Sequence, residues 1–217
     1  MKILIDSANI EDIRNLQSTY PIQGVTTNPS ILAKEVGAPE TLLQSIYSAL
    51  DKNDEFHIQV TRHDADAIVQ ESYQLIEKFG EKTFIKIPVS IEGYKAMRIL
   101  NNQGLRTTAT AVFTTKQAVF AALAGADYIA PYVNRIDNYN GDGTEMIRST
   151  KEILQREGLS TEVLAASFKN TKQVEDAILA GASVVTIPPE LMHAFVHHEG
   201  TDDAIEGFMR NQQKSDN

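Results

Sequence analysis

The stretch Thr83-Phe-Ile-Lys-Ile-Pro-Val-Ser-Ile-Glu-Gly-Tyr-Lys-Ala-Met-Arg-Ile-Leu-Asn-Asn-Gln-Gly104 holds one complete structural unit. Thr83–Ile87 is a short apolar run of the kind a buried strand uses. Ile91–Gln103 follows with the spacing of an amphipathic helix. Gly104 stands just past that helix, where a left-handed cap favours glycine.

The same unit recurs in both directions along the chain, roughly every 25 residues. Strands are expected at Lys2–Asp6, Gly24–Thr26, Phe56–Thr61, Thr83–Ile87, Arg106–Ala111, Tyr128–Tyr132, Glu162–Ala166 and Ser183–Ile187. Helices are expected at Asn9–Ser18, Thr41–Leu50, Asp64–Phe79, Ile91–Gln103, Thr115–Ala124, Gly143–Gly158 and Thr171–Ala180. A turn around Glu190–Phe195 and a last helix near Asp202–Gln212 complete the order. Gly80, Gly125, Gly158 and Gly181 repeat the cap seen at Gly104, and Asp64 and Thr171 are candidate N-caps. Strict alternation of eight strands with helices predicts a parallel sheet closed into a single-domain (β/α)8 barrel over residues 1–217. The alternative is an open doubly wound sheet. Such sheets usually carry a glycine-rich phosphate turn after the first strand, and Asp6-Ser-Ala-Asn9 is no such turn.

Composition narrows the chemistry. The 217 residues suffice for one full core, with 42% hydrophobic and 23% charged residues. No cysteine is present, which excludes disulfides, thiolate metal sites and a cysteine nucleophile. The net charge of −9 and the absence of a basic cluster argue against nucleic acid as a partner. The opening apolar run breaks at Asp6, too early for a signal-peptide core, and no stretch approaches a membrane span. A cytoplasmic location with no membrane contact is the expectation. His193, His197 and His198 cluster near the end, but no glutamate follows His193 as a metalloprotease helix requires, so no metal site is expected.

In such a barrel the active site lies at the C-terminal ends of the strands. Polar groups gather there: Asp6, then Thr26 and Asn28, Gln59, Lys86, Thr108 with Thr110, Tyr132 with Arg135, and Ser167 with Lys169. Any one of them could be structural, since strand ends lie near solvent. Seven strands offering such groups at one end, several within apolar runs, is harder to explain without a use, because an unpaired buried polar group is costly.

Among twelve lysines, Lys86 alone lies inside an apolar strand. Alternation puts Phe84 and Lys86 on one face and Ile85 and Ile87 on the other. The more apolar face should meet the helices, so Lys86 should point into the barrel. Desolvation there favours the neutral amine, the form that attacks a ketone. The competing reading is a buried ion pair with Asp6, and the strand pattern alone leaves both open. Lys169 is the rival nucleophile, but it follows its strand and should be more exposed. Asp6 and Tyr132 could move protons, and Gln59 and Thr110 could hold a water. Arg135 and Ser167 could grip a phosphate, although Arg135 could instead pair with Asp137.

The stretches Gly24-Val-Thr-Thr-Asn28-Pro-Ser, Ile85-Lys86-Ile-Pro-Val, Ala130-Pro-Tyr132-Val-Asn-Arg135-Ile-Asp and Ala165-Ala-Ser167-Phe-Lys together resemble the transaldolase family, and within it the small fructose-6-phosphate aldolase branch. The resemblance runs nearly the whole chain. It implies a class I aldolase without metal or cofactor, with Lys86 forming the imine and Asp6 assisting proton transfer. It implies that Thr26 and Asn28 contact a dihydroxyacetone unit, and that Arg135, Ser167 and Lys169 hold a sugar phosphate. Transaldolases of this size carry glutamate where Gln59 stands and phenylalanine where Tyr132 stands. Tyr132 with Gln59 and Thr110 therefore looks like the aldolase arrangement, cleaving fructose 6-phosphate to dihydroxyacetone and glyceraldehyde 3-phosphate. Transfer of the same unit to an aldose phosphate is the nearest alternative. Outside the family, a non-covalent sugar-phosphate-binding or isomerase barrel is the other. Small relatives form pentamer-based decamers, which implies that the helix near 201–213 packs on a neighbouring subunit through Ile205, Phe208 and Met209.

Overall fold

The computed structural model describes residues 1–215. The elements run β1 (Lys2–Asp6), α1 (Ile10–Thr19), β2 (Gly24–Thr26), α2 (Pro29–Leu32), α3 (Pro39–Ala49), β3 (Glu55–Gln59), α4 (Ala65–Phe79), β4 (Thr83–Pro88), α5 (Ile91–Asn101) and β5 (Thr107–Val112). They continue with α6 (Thr115–Leu123), β6 (Tyr128–Pro131), α7 (Val133–Asn138), α8 (Gly143–Arg156), β7 (Glu162–Ala165), α9 (Thr171–Leu179), β8 (Val184–Ile187), α10 (Pro189–Val196) and α11 (Glu199–Ser215). All neighbouring strands pair in parallel and β8 closes on β1, so the sheet is the expected closed barrel.

Strand alternation sorts the side chains into two layers. Ile5, Val25, Phe56, Ile85, Ile87, Ile129, Val163, Val185 and Ile187 face outward and pack with the helices into the main core. Leu4, Phe84, Tyr128, Ala130, Leu164, Ala166 and Val184 fill the barrel itself. Lys86 shares the inner face with Phe84, as the alternation predicts. A glycine is obligatory at the start of β2, where Gly24 has φ +153° and a Cβ would lie 2.2 Å from the Glu55 carbonyl oxygen.

Several boundaries differ from the sequence reading. The third strand ends at Gln59, two residues before the expected Thr61. The sixth stops at Pro131, and Tyr132 makes only an isolated bridge to Ala166. Asn9 is not helical but caps α1, its side chain accepting from Glu11 and Asp12 backbone N–H groups. Asp64 caps α4 as expected, whereas α9 is capped by Asn170 and Thr171 is its first residue. Two helices read as loop, α2 and α7, are too short for a periodic signal. The turn around Glu190–Phe195 is a helix, α10.

A polar cluster closes the N-terminal floor of the barrel. The buried His57 ring stacks on Phe84 at 4.7 Å between centroids. Its Nδ1 meets the Thr108 hydroxyl at 2.9 Å and its Nε2 meets Glu55 Oε2 at 3.3 Å. Glu55 Oε1 accepts from Lys2 Nζ at 2.6 Å and from the Tyr128 hydroxyl at 2.9 Å. Burial drives the cluster's pKa values apart. It would raise Glu55, but bonds from His57 and Lys2 prevail and hold that carboxyl at about 2. It depresses His57 to about 4, more than Glu55 restores. A carboxylate only accepts, so neutral His57 donates its Nε2–H to Glu55 and accepts the Thr108 hydroxyl at Nδ1.

This predicts an acid limb in stability. His57 titrates near 4 in the fold against 6.5 as a free side chain. The unfolded chain therefore binds the extra proton between those values, and stability falls as pH drops through that window. Urea unfolding should show a loss on the order of 2 kcal/mol between pH 6.5 and 4 that is absent from His57→Phe, itself less stable at neutral pH. A parent and variant with the same slope would contradict it.

Candidate active site

The C-terminal mouth of the barrel opens into a cavity of about 450 Å³. Asp6, Asn28, Lys86, Tyr132, Arg135, Ser167 and Lys169 all line it, contributed by the ends of five different β/α units. Seven of the eleven polar residues gathered at the strand ends from sequence thus share one wall, whereas Thr108 belongs to the floor cluster with His57.

Lys86 is only 4% exposed. Its Nζ donates to the backbone carbonyl of Thr27 at 2.8 Å. The expected alternative, a direct ion pair with Asp6, does not form: Asp6 influences Lys86 through space, while the hydrogen bond goes to Thr27. Burial pushes the Lys86 ammonium below the usual lysine range, and the Asp6 charge offsets part of that fall. One N–H held by a carbonyl leaves the lone pair of a neutral amine free to face the cavity.

Asp6 keeps some surface open to the cavity, yet its carboxyl is enclosed by protein. Burial raises its pKa, Lys86 and the Thr26 hydroxyl oppose the rise, and Glu190 adds to it. Thr26 lies behind this carboxyl rather than on the cavity wall, donating to Asp6 Oδ1 at 2.7 Å. Its oxygen also meets the Thr186 hydroxyl at 2.7 Å, so a chain of hydroxyls orients the acid from below. Thr26 therefore positions Asp6.

Asn28 spends its side-chain oxygen on capping α2, accepting from the Ile31 N–H at 3.0 Å. What it presents to the cavity is its amide NH2, a donor suited to a hydroxyl or carbonyl oxygen. Thr110 is fully buried behind the wall, with its hydroxyl 3.0 Å from the Tyr132 hydroxyl. The next residue, Ala111, is held at φ +55° where β5 shifts register against β6. Ser167 is likewise held at φ +64°, and such strain concentrates at functional sites.

Gln59 is set apart. It pairs in register with Lys86 across β3 and β4, but borders a second cavity under α2, α3 and α4, and is absent from the main wall. Its Oε1 is buried with no hydrogen-bond partner among the described residues. Arg135 is not bonded to Asp137, whose oxygens accept from Gly143 N–H and Gln173 instead. The guanidinium lies 4.7 Å from the Tyr132 ring centroid, free to act on the cavity. Lys169 is exposed at the rim, as expected from its place beyond its strand.

The sequence reading missed Asp12, Lys34, Glu35 and Glu190, which also line the mouth. They stand on solvent-facing positions of helices or turns, where a charged residue is ordinary, so their identity alone does not mark them. It also missed His57, although the alternation that turned Lys86 inward applies equally to His57 and Gln59.

Asp6→Asn tests the coupling. The Asp6 charge stabilises the ammonium form of Lys86, so its removal lowers the Lys86 pKa further. The pH midpoint for reaction of Lys86 with a small carbonyl reagent should move toward acid, whatever happens to the maximal rate. A midpoint moved toward base would contradict the assignment.

The likeness to known proteins agrees with this geometry. Residues 3–217 match the family described as Transaldolase/Fructose-6-phosphate aldolase. A probable transaldolase of Agathobacter rectalis is 38% identical over 208 residues, covering 96% of this chain and 95% of that protein. One from Symbiobacterium thermophilum is 39% identical, covering 97% and 96%, and one from Desulforapulum autotrophicum is 37% identical over the full length of both. Among solved structures, a mutant flavocytochrome b2 with benzoylformate superposes with a TM-score of 0.60 at 14% identity, covering 87% of this chain and 56% of that one, a likeness of fold alone. With its whole length matched and its barrel mouth so furnished, the chain belongs to the transaldolase/fructose-6-phosphate aldolase family.

Proposed function

We propose that the chain is a Schiff-base aldolase that cleaves fructose 6-phosphate to dihydroxyacetone and glyceraldehyde 3-phosphate. The observation that carries this reading is the buried Lys86 amine, tied to the Thr27 carbonyl and opening onto a cavity with a carboxyl, a phenol and two free cations.

The neutral amine attacks C2 of the ketose, and loss of water gives the iminium. Asp6, with its pKa raised, is suited to exchange protons with the carbinolamine oxygen. Removal of the C4 hydroxyl proton breaks the C3–C4 bond. The aldehyde phosphate leaves and the electron pair rests in an enamine on Lys86. Protonation of C3 and hydrolysis then release dihydroxyacetone and restore the amine. The Tyr132 hydroxyl, backed by Thr110, is the proton source at the wall. The unpartnered Gln59 oxygen is suited to accept from a water that joins them. The Asn28 amide would hold a hydroxyl of the three-carbon unit, and Arg135, Ser167 and Lys169 the phosphate.

Transfer of the three-carbon unit to a second aldose phosphate is the competing reading, supported by relatives named probable transaldolase. Gln59 and Tyr132 favour release, because a phenol can protonate an enamine and an amide cannot hold a competing carboxylate proton. The family reading also includes a ring-based oligomer. The exposed Ile205, Phe208 and Met209 on α11 support a neighbouring subunit as their partner.

Treatment with dihydroxyacetone and borohydride should give a stable mass increase that maps to Lys86 and vanishes in Lys86→Ala. Gln59→Glu should lower free dihydroxyacetone release while raising transfer to an added aldose phosphate. No adduct on the parent would overturn the mechanism. An unchanged ratio of release to transfer in Gln59→Glu would overturn the choice of branch.

A further inference from the structure

The rim of the cavity carries six charges besides Asp6 and Lys86: Asp12, Lys34, Glu35, Glu190, Arg135 and Lys169. None of the six forms an ion pair among the described residues, although their opposite signs share one opening. They are instead sorted by sector. Asp12 in α1, Lys34 and Glu35 after α2, and Glu190 in α10 follow β1, β2 and β8. Arg135 in α7 and Lys169 after β7 stand on the neighbouring arc. One arc holds three carboxylates against a single ammonium, and the other holds two cations. Surface charges of opposite sign normally pair or mix, so this separation makes the mouth a dipole.

Within the acidic arc, Glu190 is the carboxylate best placed to act. Glu35 already accepts from the Asn9 amide at 3.2 Å. Glu190 is the second residue of α10, which follows β8, and β8 pairs with β1 up to Ile5↔Ile187, one residue short of Asp6; Glu190 and Asp6 line the same cavity. Its charge reaches the Asp6 carboxyl, the group that also feels Lys86. Glu190 and Lys86 line one cavity, so this negative charge acts on the space that a ketone on Lys86 would occupy.

This inference rests on the Schiff-base reading above. With a phosphate on the Arg135 and Lys169 arc, the three-carbon unit on Lys86 lies against the acidic arc. We propose that Glu190 is a specificity-determining residue that sorts three-carbon donors by charge, admitting an uncharged or cationic ketone and turning away one that carries a phosphate. Lys34 moderates the field and Asp12 reinforces it. The device acts by Coulomb repulsion in a partly wet cleft, so it weakens as salt rises.

The test uses the full chain and three ketones with borohydride: dihydroxyacetone, its monophosphate, and 1-hydroxy-3-(trimethylammonio)propan-2-one. The last matches the phosphate in bulk and reverses its charge. The concentration giving half-maximal adduct on Lys86 is read by intact mass for the parent, Glu190→Gln and Glu190→Lys. The parent should take dihydroxyacetone and the ammonium ketone at concentrations at least about tenfold below the phosphate. Glu190→Lys should narrow that gap by about tenfold, Glu190→Gln by less, and high salt should narrow it in the parent. Exclusion of the ammonium ketone as strong as that of the phosphate would mean that size decides, and would overturn the proposal. So would a gap that neither variant moves. Equal adducts with all three ketones would overturn this proposal alone, whereas no adduct with any would overturn the Schiff-base reading beneath it.

Discussion

The proposed chemistry of this protein depends on one desolvated amine. Lys86 sits almost wholly out of water, with a single hydrogen bond to the Thr27 carbonyl. A buried ammonium is unstable unless paired, and the one carboxyl nearby, Asp6, is itself pushed toward its neutral form by burial. Each group would be relieved by losing its charge, and proton exchange between an amine and a carboxyl in that state is what imine chemistry requires. The barrel creates the condition by geometry: strand alternation turns Lys86 into an interior filled by Phe84, Tyr128 and Leu164.

The two ends of the barrel treat polar groups differently. At the floor, Lys2, Glu55, Tyr128, His57 and Thr108 satisfy one another, and the cluster presents a neutral imidazole toward the interior. At the mouth, polar groups are left open. Among the described residues the Asn28 amide NH2 and the Lys169 ammonium have no protein partner, and the Arg135 guanidinium meets only the Tyr132 ring. Saturated polar groups lend stability and open ones lend binding, so the division matches the usual separation of roles between the two faces of such barrels.

Much of this was legible from sequence because it follows from period. The eight strands and the inward turn of Lys86 rest on alternation and on glycines past helix ends, and Gly80, Gly104, Gly125, Gly158 and Gly181 all have the positive φ those caps demand. The exposure of Lys169 followed from its place beyond β7. What escaped was set by contacts between distant segments. The brace that Thr26 gives Asp6 joins two neighbouring strands, so the pattern of β2 alone could not show it. Gln59 was expected beside the water-holding groups; it is in register with Lys86 but borders the cavity under α2, α3 and α4, which only the packing of those helices creates. His57 was overlooked because its partners, Glu55 and Thr108, lie on its own strand and two strands away. The rim carboxylates Asp12 and Glu190 stand on the exposed sides of α1 and α10, where charge is expected whatever its use.

The central claim is that the Lys86 amine is uncharged at neutral pH to a degree no surface lysine matches. Nitrogen-15 NMR of lysine-labelled protein, with Lys86 assigned by comparison to Lys86→Met, would follow its side-chain nitrogen through a pH titration. The account predicts a midpoint clearly below those of the solvent-exposed lysines in the same spectra. A Lys86 signal that titrates together with them would contradict it.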